Sequence, residues 1–118
     1  MIDPDENFCY VTTIGRVSGQ PHRIEIWYAA APERDTIYLL GGGRERSDWT
    51  RNLMHTPQCT VEIASSRYAG MARILAPDTE EDELARRLVY DKYAHWDDLA
   101  AWRVSALPVA IDLNGQAP

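Results

Sequence analysis

The order of short β-type segments and short helices constrains the fold of this chain more than any other feature. Phe8–Ile14 is dense in β-branched and aromatic residues, and His22–Ala30 begins with the two-residue alternation of a strand. The segment between them, Gly15–Pro21, contains two glycines and a proline, which is typical of a hairpin connection. Because strands joined by a hairpin pair antiparallel, the chain is predicted to begin as an antiparallel sheet.

The rest of the chain continues this pattern, with helices between strands. The further predicted strands are Thr36–Leu40, Cys59–Ala64, Tyr68–Leu75 and Leu107–Leu113. One helix is predicted over Asp48–His55 with Ser47 as its cap. A second begins at Asp78 or Thr79 and runs to about Ala94, with Leu84 and Leu88 as its core contacts, and a short helical stretch covers Asp97–Arg103. The order β-β-β-α-β-β-α-β does not suit a doubly wound parallel sheet. We predict a single domain over residues 1–118, mainly β and antiparallel, curled into a barrel with flanking helices.

Composition excludes several classes of function. Twelve basic and eighteen acidic side chains give a net charge of −6, so general nucleic-acid binding is not expected. No apolar run approaches the roughly 20 residues of a membrane-spanning helix, and the first ten residues are acidic where a targeting signal would be basic. A cytoplasmic location is therefore predicted. Cys9 and Cys59 lie 50 residues apart without a metal-binding motif, so neither a disulfide scaffold nor a metal site is expected.

Basic side chains are concentrated in the middle of this acidic chain. Residues 15–75 carry eight arginines against six acidic side chains, which would suit a small anionic ligand or simply cover the edges of a sheet. Two places could bind an anion: the hairpin with its neighbouring basic residues, and the helix start that follows Gly41–Gly43. Each could equally be a plain turn or a capped surface helix. No residue resembles an activated nucleophile, so an enzyme of this sequence would rely on a bound organic cofactor.

Three motifs occur in a specific order. They are TTIGRVSGQPH over Thr12–His22, YLLGG over Tyr38–Gly42, and WTRNL over Trp49–Leu53. In residues 9–75 the chain resembles the deazaflavin-dependent nitroreductase family, within the flavin/deazaflavin oxidoreductases of the split β-barrel fold. The resemblance implies an oxidoreductase that binds coenzyme F420, a deazaflavin with a phosphodiester and an oligoglutamate tail. It also implies hydride transfer to a small acceptor such as a quinone, a nitro compound or an enone.

The resemblance and the residue patterns together give the predicted site. Arg16 matches a basic family residue that holds the phosphate, whereas Val17 stands where many members have lysine and His22 where many have arginine. The predicted cofactor-binding residues are Arg16, Ser18, His22, Arg23, Gly42, Gly43, Arg44, Ser47, Asp48, Trp49, Arg51 and Asn52. The predicted acceptor-binding residues are Trp27, Tyr28, Tyr90 and Tyr93, with core packing as the rival use of each. Tyr93 or solvent is the predicted proton donor.

Two alternatives to this function stay open at this point. The first keeps the enzyme but replaces F420 by FMN, which sister families of the fold bind. The second is a non-catalytic protein that stores or sequesters a flavin, a haem or an apolar ligand. A homodimer is a further expectation, since related barrels often pair across the cofactor site.

Overall fold

A computed structural model describes residues 2–95 and 99–116, which form seven strands and three α-helices. Their bounds are β1 Cys9–Ile14, β2 Pro21–Ile26, β3 Ala29–Ala30, β4 Thr36–Gly41, α1 Asp48–His55, β5 Gln58–Ile63, β6 Ser66–Ile74, α2 Glu80–Tyr93, α3 Ala100–Ser105 and β7 Leu107–Gln116. A 3₁₀ turn, Arg44–Arg46, precedes α1. The predicted helical stretch Asp97–Arg103 begins with Asp97 and Asp98, which lie outside the described residues. None of the helices in the described ranges is long and apolar enough to span a bilayer.

The seven strands form one antiparallel sheet whose two edge strands follow each other along the chain. The strand order is β2-β1-β5-β6-β7-β4-β3, so β2 and β3 are the edge strands. Only Trp27 and Tyr28 separate these strands along the chain, so the sheet must curl until the end of β2 lies near the start of β3. The result is the predicted split β-barrel, mainly antiparallel with flanking helices. The prediction of one continuous strand over His22–Ala30 is wrong, because the chain changes partner from β1 to β4 at this corner.

Two apolar clusters lie on opposite faces of the sheet. The barrel interior is filled by side chains such as Val11, Leu39, Val61 and Ile111, all fully buried. The second cluster lies between the outer face of the sheet and α2, which buries Ala85, Val89 and Tyr93 at a spacing of four residues. Leu84 and Leu88, predicted as the core contacts of α2, are only partly buried at the edge of this stripe.

The start of α2 is fixed by a side-chain cap and by an ion-pair network. Thr79 is the cap residue, and its hydroxyl accepts a hydrogen bond from the backbone N–H of Asp82 at 3.2 Å. Arg73 on β6 donates to Glu81 at 2.8 Å and to Asp112 on β7 at 2.7 Å. The Arg73 guanidinium lowers the pKa of both carboxyls. The network therefore ties the helix to the two central strands.

Candidate functional site

The β1–β2 hairpin and the start of α1 enclose an open cleft of about 490 Å³. Its walls come from the end of β1, the hairpin, the beginning of β2 and the inner face of α1. The residues that line it are Thr13, Gly15, Arg16, Val17, Ser18, His22, Arg23, Ile24, Asp48, Trp49 and Asn52. The hairpin, predicted as one anion site, thus shares a cavity with residues of α1, whereas the glycines and Arg44 of the second predicted site do not line it.

Asn52 holds the hairpin against α1. Its side chain is 3% exposed, and its Oδ1 atom accepts from the backbone N–H of Arg16 at 3.1 Å and from Arg16 Nη1 at 2.8 Å. Its Nδ2 atom donates to the hydroxyl of Thr13 at 3.1 Å. An amide side chain offers both donors and an acceptor, which these three partners require. Trp49 and Leu53 lie three residues before and one after Asn52 on the buried side of the helix, which gives the WTRNL motif a structural reason.

Arg16 is the cationic side chain that the cleft places most firmly. Besides its bonds to Asn52, its Nη2 atom donates to Asp48 Oδ1 at 3.1 Å, and Nη1 lies 3.4 Å from the Asp48 carbonyl oxygen. The Arg16 side chain is 26% exposed, whereas that of Asp48 is 86% exposed. The guanidinium is therefore partly sheltered but still reachable from the cleft.

His22 lies directly over Gly15. A Cβ atom on Gly15 would stand 2.7 Å from His22 Nε2 and 2.8 Å from Ser18 Oγ, so a side chain at position 15 would displace both groups from these positions. The loop closes through a hydrogen bond from the Gln20 N–H to Ser18 Oγ at 3.1 Å, and Gly19 has the positive φ of +72° that glycine readily adopts. The glycines of the hairpin thus bring an imidazole and a hydroxyl to the cleft.

Arg23 lines the cleft, but its guanidinium contacts side chains outside the cleft. Its Nε atom donates to Glu62 at 3.1 Å, and its guanidinium lies 3.9 Å above the ring of Tyr10. Both partners belong to neighbouring strands on the outer face of the sheet. Strand alternation therefore turns this side chain away from a ligand in the cleft.

Five further predicted cofactor residues do not line the cleft: Gly42, Gly43, Arg44, Ser47 and Arg51. Arg44 donates to the carbonyl oxygen of Ser105 at the end of α3, at 2.8 Å, and pairs with Glu45. Ser47 has the backbone conformation of a cap, yet its hydroxyl makes no capping hydrogen bond. Ser47 is therefore the cap of α1 by position only.

The aromatic residues divide between the core and a second hollow. Tyr28 and Tyr93 are fully buried, and Tyr93 Oη accepts from the Tyr28 N–H at 3.1 Å and lies 2.7 Å from the Asn7 carbonyl oxygen. Burial raises the pKa of Tyr93 to about 12. Tyr90 is partly buried beneath the guanidinium of Arg103. This placement favours packing for Tyr28 and Tyr93 rather than the acceptor-binding role predicted for them, and it argues against Tyr93 as a proton donor.

The second hollow, of about 460 Å³, is mostly apolar and lies beside the end of β2. Trp27 lines it and stacks on Tyr93, with ring centroids 4.2 Å apart. The other lining residues are Phe8, Glu25, Ile26, Leu40, Leu99 and Trp102. The sequence analysis did not identify Phe8 or Trp102 as site residues. The apolar spacing of Leu99 and Trp102 was the available signal, but it does not show which surface α3 covers.

Residues 22–24 line the cleft and residues 25–27 line the hollow, and no described residue lines both cavities. The cleft offers arginine, histidine and hydroxyl groups beside Ile24 and Trp49, whereas the hollow offers tryptophan and aliphatic side chains. The cleft by itself suits a ligand with an anionic end and a flat apolar part.

Comparison with known proteins gives one family match and several structural likenesses. A family model described as F420H(2)-dependent quinone reductase matches residues 4–114. No curated protein sequence matches the chain.

Three solved structures illustrate the likeness of fold. The structure of an F420-H2 dependent reductase has a TM-score of 0.72 at 20% identity, over 97% of this chain and 98% of that one. A conserved hypothetical protein from Mycobacterium tuberculosis has a TM-score of 0.74 at 20% identity, over 96% and 76% of the two chains. A haem storage protein from Vibrio cholerae has a TM-score of 0.68 at 13% identity, over 92% and 82%. At these identities the likenesses establish the fold alone.

Proposed function

The chain belongs to the F420H(2)-dependent quinone reductase family, and on that premise we propose that it is an oxidoreductase using reduced coenzyme F420. The acceptor is a small electron-poor molecule, with a quinone as the first candidate and a nitro compound or an enone as others. One observation carries the proposal: the cleft places a sheltered arginine, a histidine and a hydroxyl beside the apolar side chains of Ile24 and Trp49.

The residues present fit a deazaflavin with a phosphodiester. The cleft and the hollow each fall within the 300–1,000 Å³ range of small-molecule sites. Arg16 has guanidinium N–H groups for a phosphate oxygen, and Ser18 and His22 offer further polar atoms beside it. Ile24 and Trp49, which line the same cleft, would flank a planar ring system. When bound, the reduced deazaflavin supplies the hydride.

The chain itself binds and orients the cofactor. Arg16 holds the anionic end at a position fixed by Asn52. Tyr93 Oη lies in the core beside backbone carbonyl groups, so it does not reach the cleft. The proton that accompanies reduction therefore comes from water entering through the open side of the cleft.

Equilibrium binding to F420 and to FMN tests the cofactor. We expect F420 to bind more tightly, measured by the change in its fluorescence, and reduced F420 to be oxidised by a water-soluble quinone in the presence of the protein. Equal or tighter binding of FMN would favour the FMN alternative. Tight cofactor binding without reduction of any acceptor would favour the storage function, which the fold also supports in the haem storage protein of Vibrio cholerae.

Replacing Arg16 by alanine tests whether this side chain binds the anionic end of the cofactor in the cleft. Loss of a charge-assisted hydrogen bond should weaken F420 binding by about 1.5–3 kcal/mol, roughly 10- to 150-fold in Kd. The matched control is Arg67→Ala, an exposed arginine on β6 outside the cleft, which should leave the Kd unchanged. A lower rate at saturating cofactor with an unaltered Kd would instead assign Arg16 to the chemical step.

A homodimer is also proposed, because one solved structure of this fold, with a TM-score of 0.72 at 20% identity, is a domain-swapped dimer. Light scattering on the purified chain should give twice the monomer mass of 13.4 kDa. A monomeric mass at micromolar concentration would contradict this.

A further inference from the structure

The cleft contains an acidic side chain in contact with its best-placed cation. Among the described residues that line the cleft, Asp48 is the one carboxylate, and it pairs with Arg16 at 3.1 Å. A site for an anionic ligand would be expected to keep carboxylates at a distance, because like charges repel at short range. The location of Asp48 therefore calls for a physical account beyond that of a binding residue.

The ion pair is not what positions Arg16. Asn52 Oδ1 accepts from both the backbone and the guanidinium of Arg16, and Asn52 is itself buried and anchored to Thr13. The Asp48 side chain, by contrast, is 86% exposed and contacts the guanidinium from the solvent side. An ion pair of such exposure contributes little to stability, so its effect on the protein lies in the charge balance of the cleft.

The donor groups of Arg16 show what Asp48 occupies. A guanidinium has five N–H groups, of which Nη1 serves Asn52 and the Asp48 backbone while Nη2 serves the Asp48 carboxylate. The groups directed at Asn52 are sheltered by the helix. The Nη2 group is the exposed one, and the Asp48 carboxylate holds it as a phosphate oxygen would. A ligand phosphate that binds Arg16 from the cleft must therefore displace this carboxylate or share the guanidinium with it.

We propose that Asp48 is a built-in counter-ion that competes with the anionic end of the ligand for Arg16 and thereby weakens the affinity of the cleft. The inference rests on the proposed function for the identity of the cofactor, whereas the competition itself concerns any phosphate-bearing ligand. Asp48 thus acts against binding, in place of the cofactor-binding role predicted from the sequence. A cofactor held less tightly is also released more readily after it has been oxidised.

The experiment compares Asp48→Asn with the unaltered protein in binding to two probes, F420 and inorganic phosphate. Asparagine keeps the size and the acceptor oxygen but removes the charge. We expect the Kd for each probe to fall by about three- to tenfold at low ionic strength, and the gain to shrink in 0.5 M salt because exposed charges are screened. Asp48→Glu retains the charge and should retain the weaker affinity.

Two controls separate competition from a general change of charge. Asp91→Asn makes the same change of charge at an exposed position of α2 outside the cleft and should not alter either Kd. In an Arg16→Ala background, Asp48→Asn should lose most of its effect, since the competition acts through Arg16. Urea unfolding of each variant confirms that it is folded.

The outcomes separate the two proposals. An unchanged or higher Kd in Asp48→Asn overturns the inference, as does an equal gain in Asp91→Asn or in the Arg16→Ala background. If F420 fails to bind but phosphate binding tightens in Asp48→Asn, the proposed cofactor is wrong while the competition stands. If F420 binds the unaltered protein and Asp48→Asn changes nothing, the proposed function stands and the competition is wrong.

Discussion

Replacing Asn52 by alanine should lower the free energy of unfolding more than any other single polar substitution in the cleft. The change removes an acceptor for the Arg16 N–H, an acceptor for its guanidinium and a donor to Thr13. Each neutral hydrogen bond contributes about 0.5–1.5 kcal/mol, and a bond to a charged group about 1.5–3 kcal/mol. Because these bonds are coupled and one partner is partly exposed, we expect a loss of about 2–4 kcal/mol in the free energy of unfolding.

Such a loss is a large part of the 5–15 kcal/mol that holds a domain of this size together. It corresponds to a fall of about 10 °C in Tm. Urea denaturation followed by tryptophan fluorescence measures the free energy of unfolding, and a thermal scan measures the Tm. F420 binding should weaken as well, because Arg16 loses the contact that fixes its position.

The matched control for this prediction is Asn7→Ala. The Asn7 side chain is exposed, and the substitution keeps the backbone carbonyl that Tyr93 uses. Its effect should stay within about 0.5 kcal/mol, as for other surface changes. If Asn52→Ala also loses less than about 1 kcal/mol, Asn52 does not hold the hairpin, and the account of the WTRNL motif is refuted.

Three other predictions follow from groups outside the cleft. Tyr93→Phe should lower the free energy of unfolding by about 1–3 kcal/mol, because it leaves buried backbone groups unpaired. Turnover per folded molecule should stay unchanged. A lower turnover without loss of stability would restore Tyr93 as the proton donor. The pKa of the Glu81 carboxyl is lowered in the folded protein, so its ionised form stabilises the fold at pH values above the unfolded pKa of about 4.3. This contribution is lost as the pH falls through the lowered pKa. Urea unfolding at pH 7 and pH 3.5 should therefore show a smaller loss on acidification for Arg73→Gln than for the unaltered protein, and equal losses would contradict the pairing. Burial raises the pKa of Cys9 to about 12, so its thiol should react with a disulfide reagent at pH 8 only in denaturant, and rapid labelling of the native protein would show that the core opens.

The sequence by itself determined the elements whose causes are local. Helix α1 has the predicted bounds, Asp48–His55, because a cap position, an acidic first turn and a following proline define its ends. The hairpin between β1 and β2 is where glycine and proline placed it. The order of strands and helices also favoured an antiparallel barrel, since short hairpin connections leave few other arrangements.

The tertiary structure alone decided which side chains reach the cleft. Alternation along β2 shows that Arg23 and His22 face opposite ways, but only the position of Glu62 on β5, two strands away in the sheet, shows that the Arg23 charge is held outside. The spacing of the aromatic residues on α2 would be the same whether their side chains were buried or exposed. Tyr93 is buried because the curled sheet brings Tyr28 against that helix.

The hairpin and helix α1 share one cleft for the same reason. Arg16 and Asn52 are separated by 36 positions, and no local pattern states that they touch. Their contact arises when β5 pairs with β1 and brings α1 beside the hairpin. Secondary-structure propensities and sequence motifs determined which functional groups each segment contains. The closure of the barrel, driven by burial of its apolar interior, fixed which of those groups share a cleft.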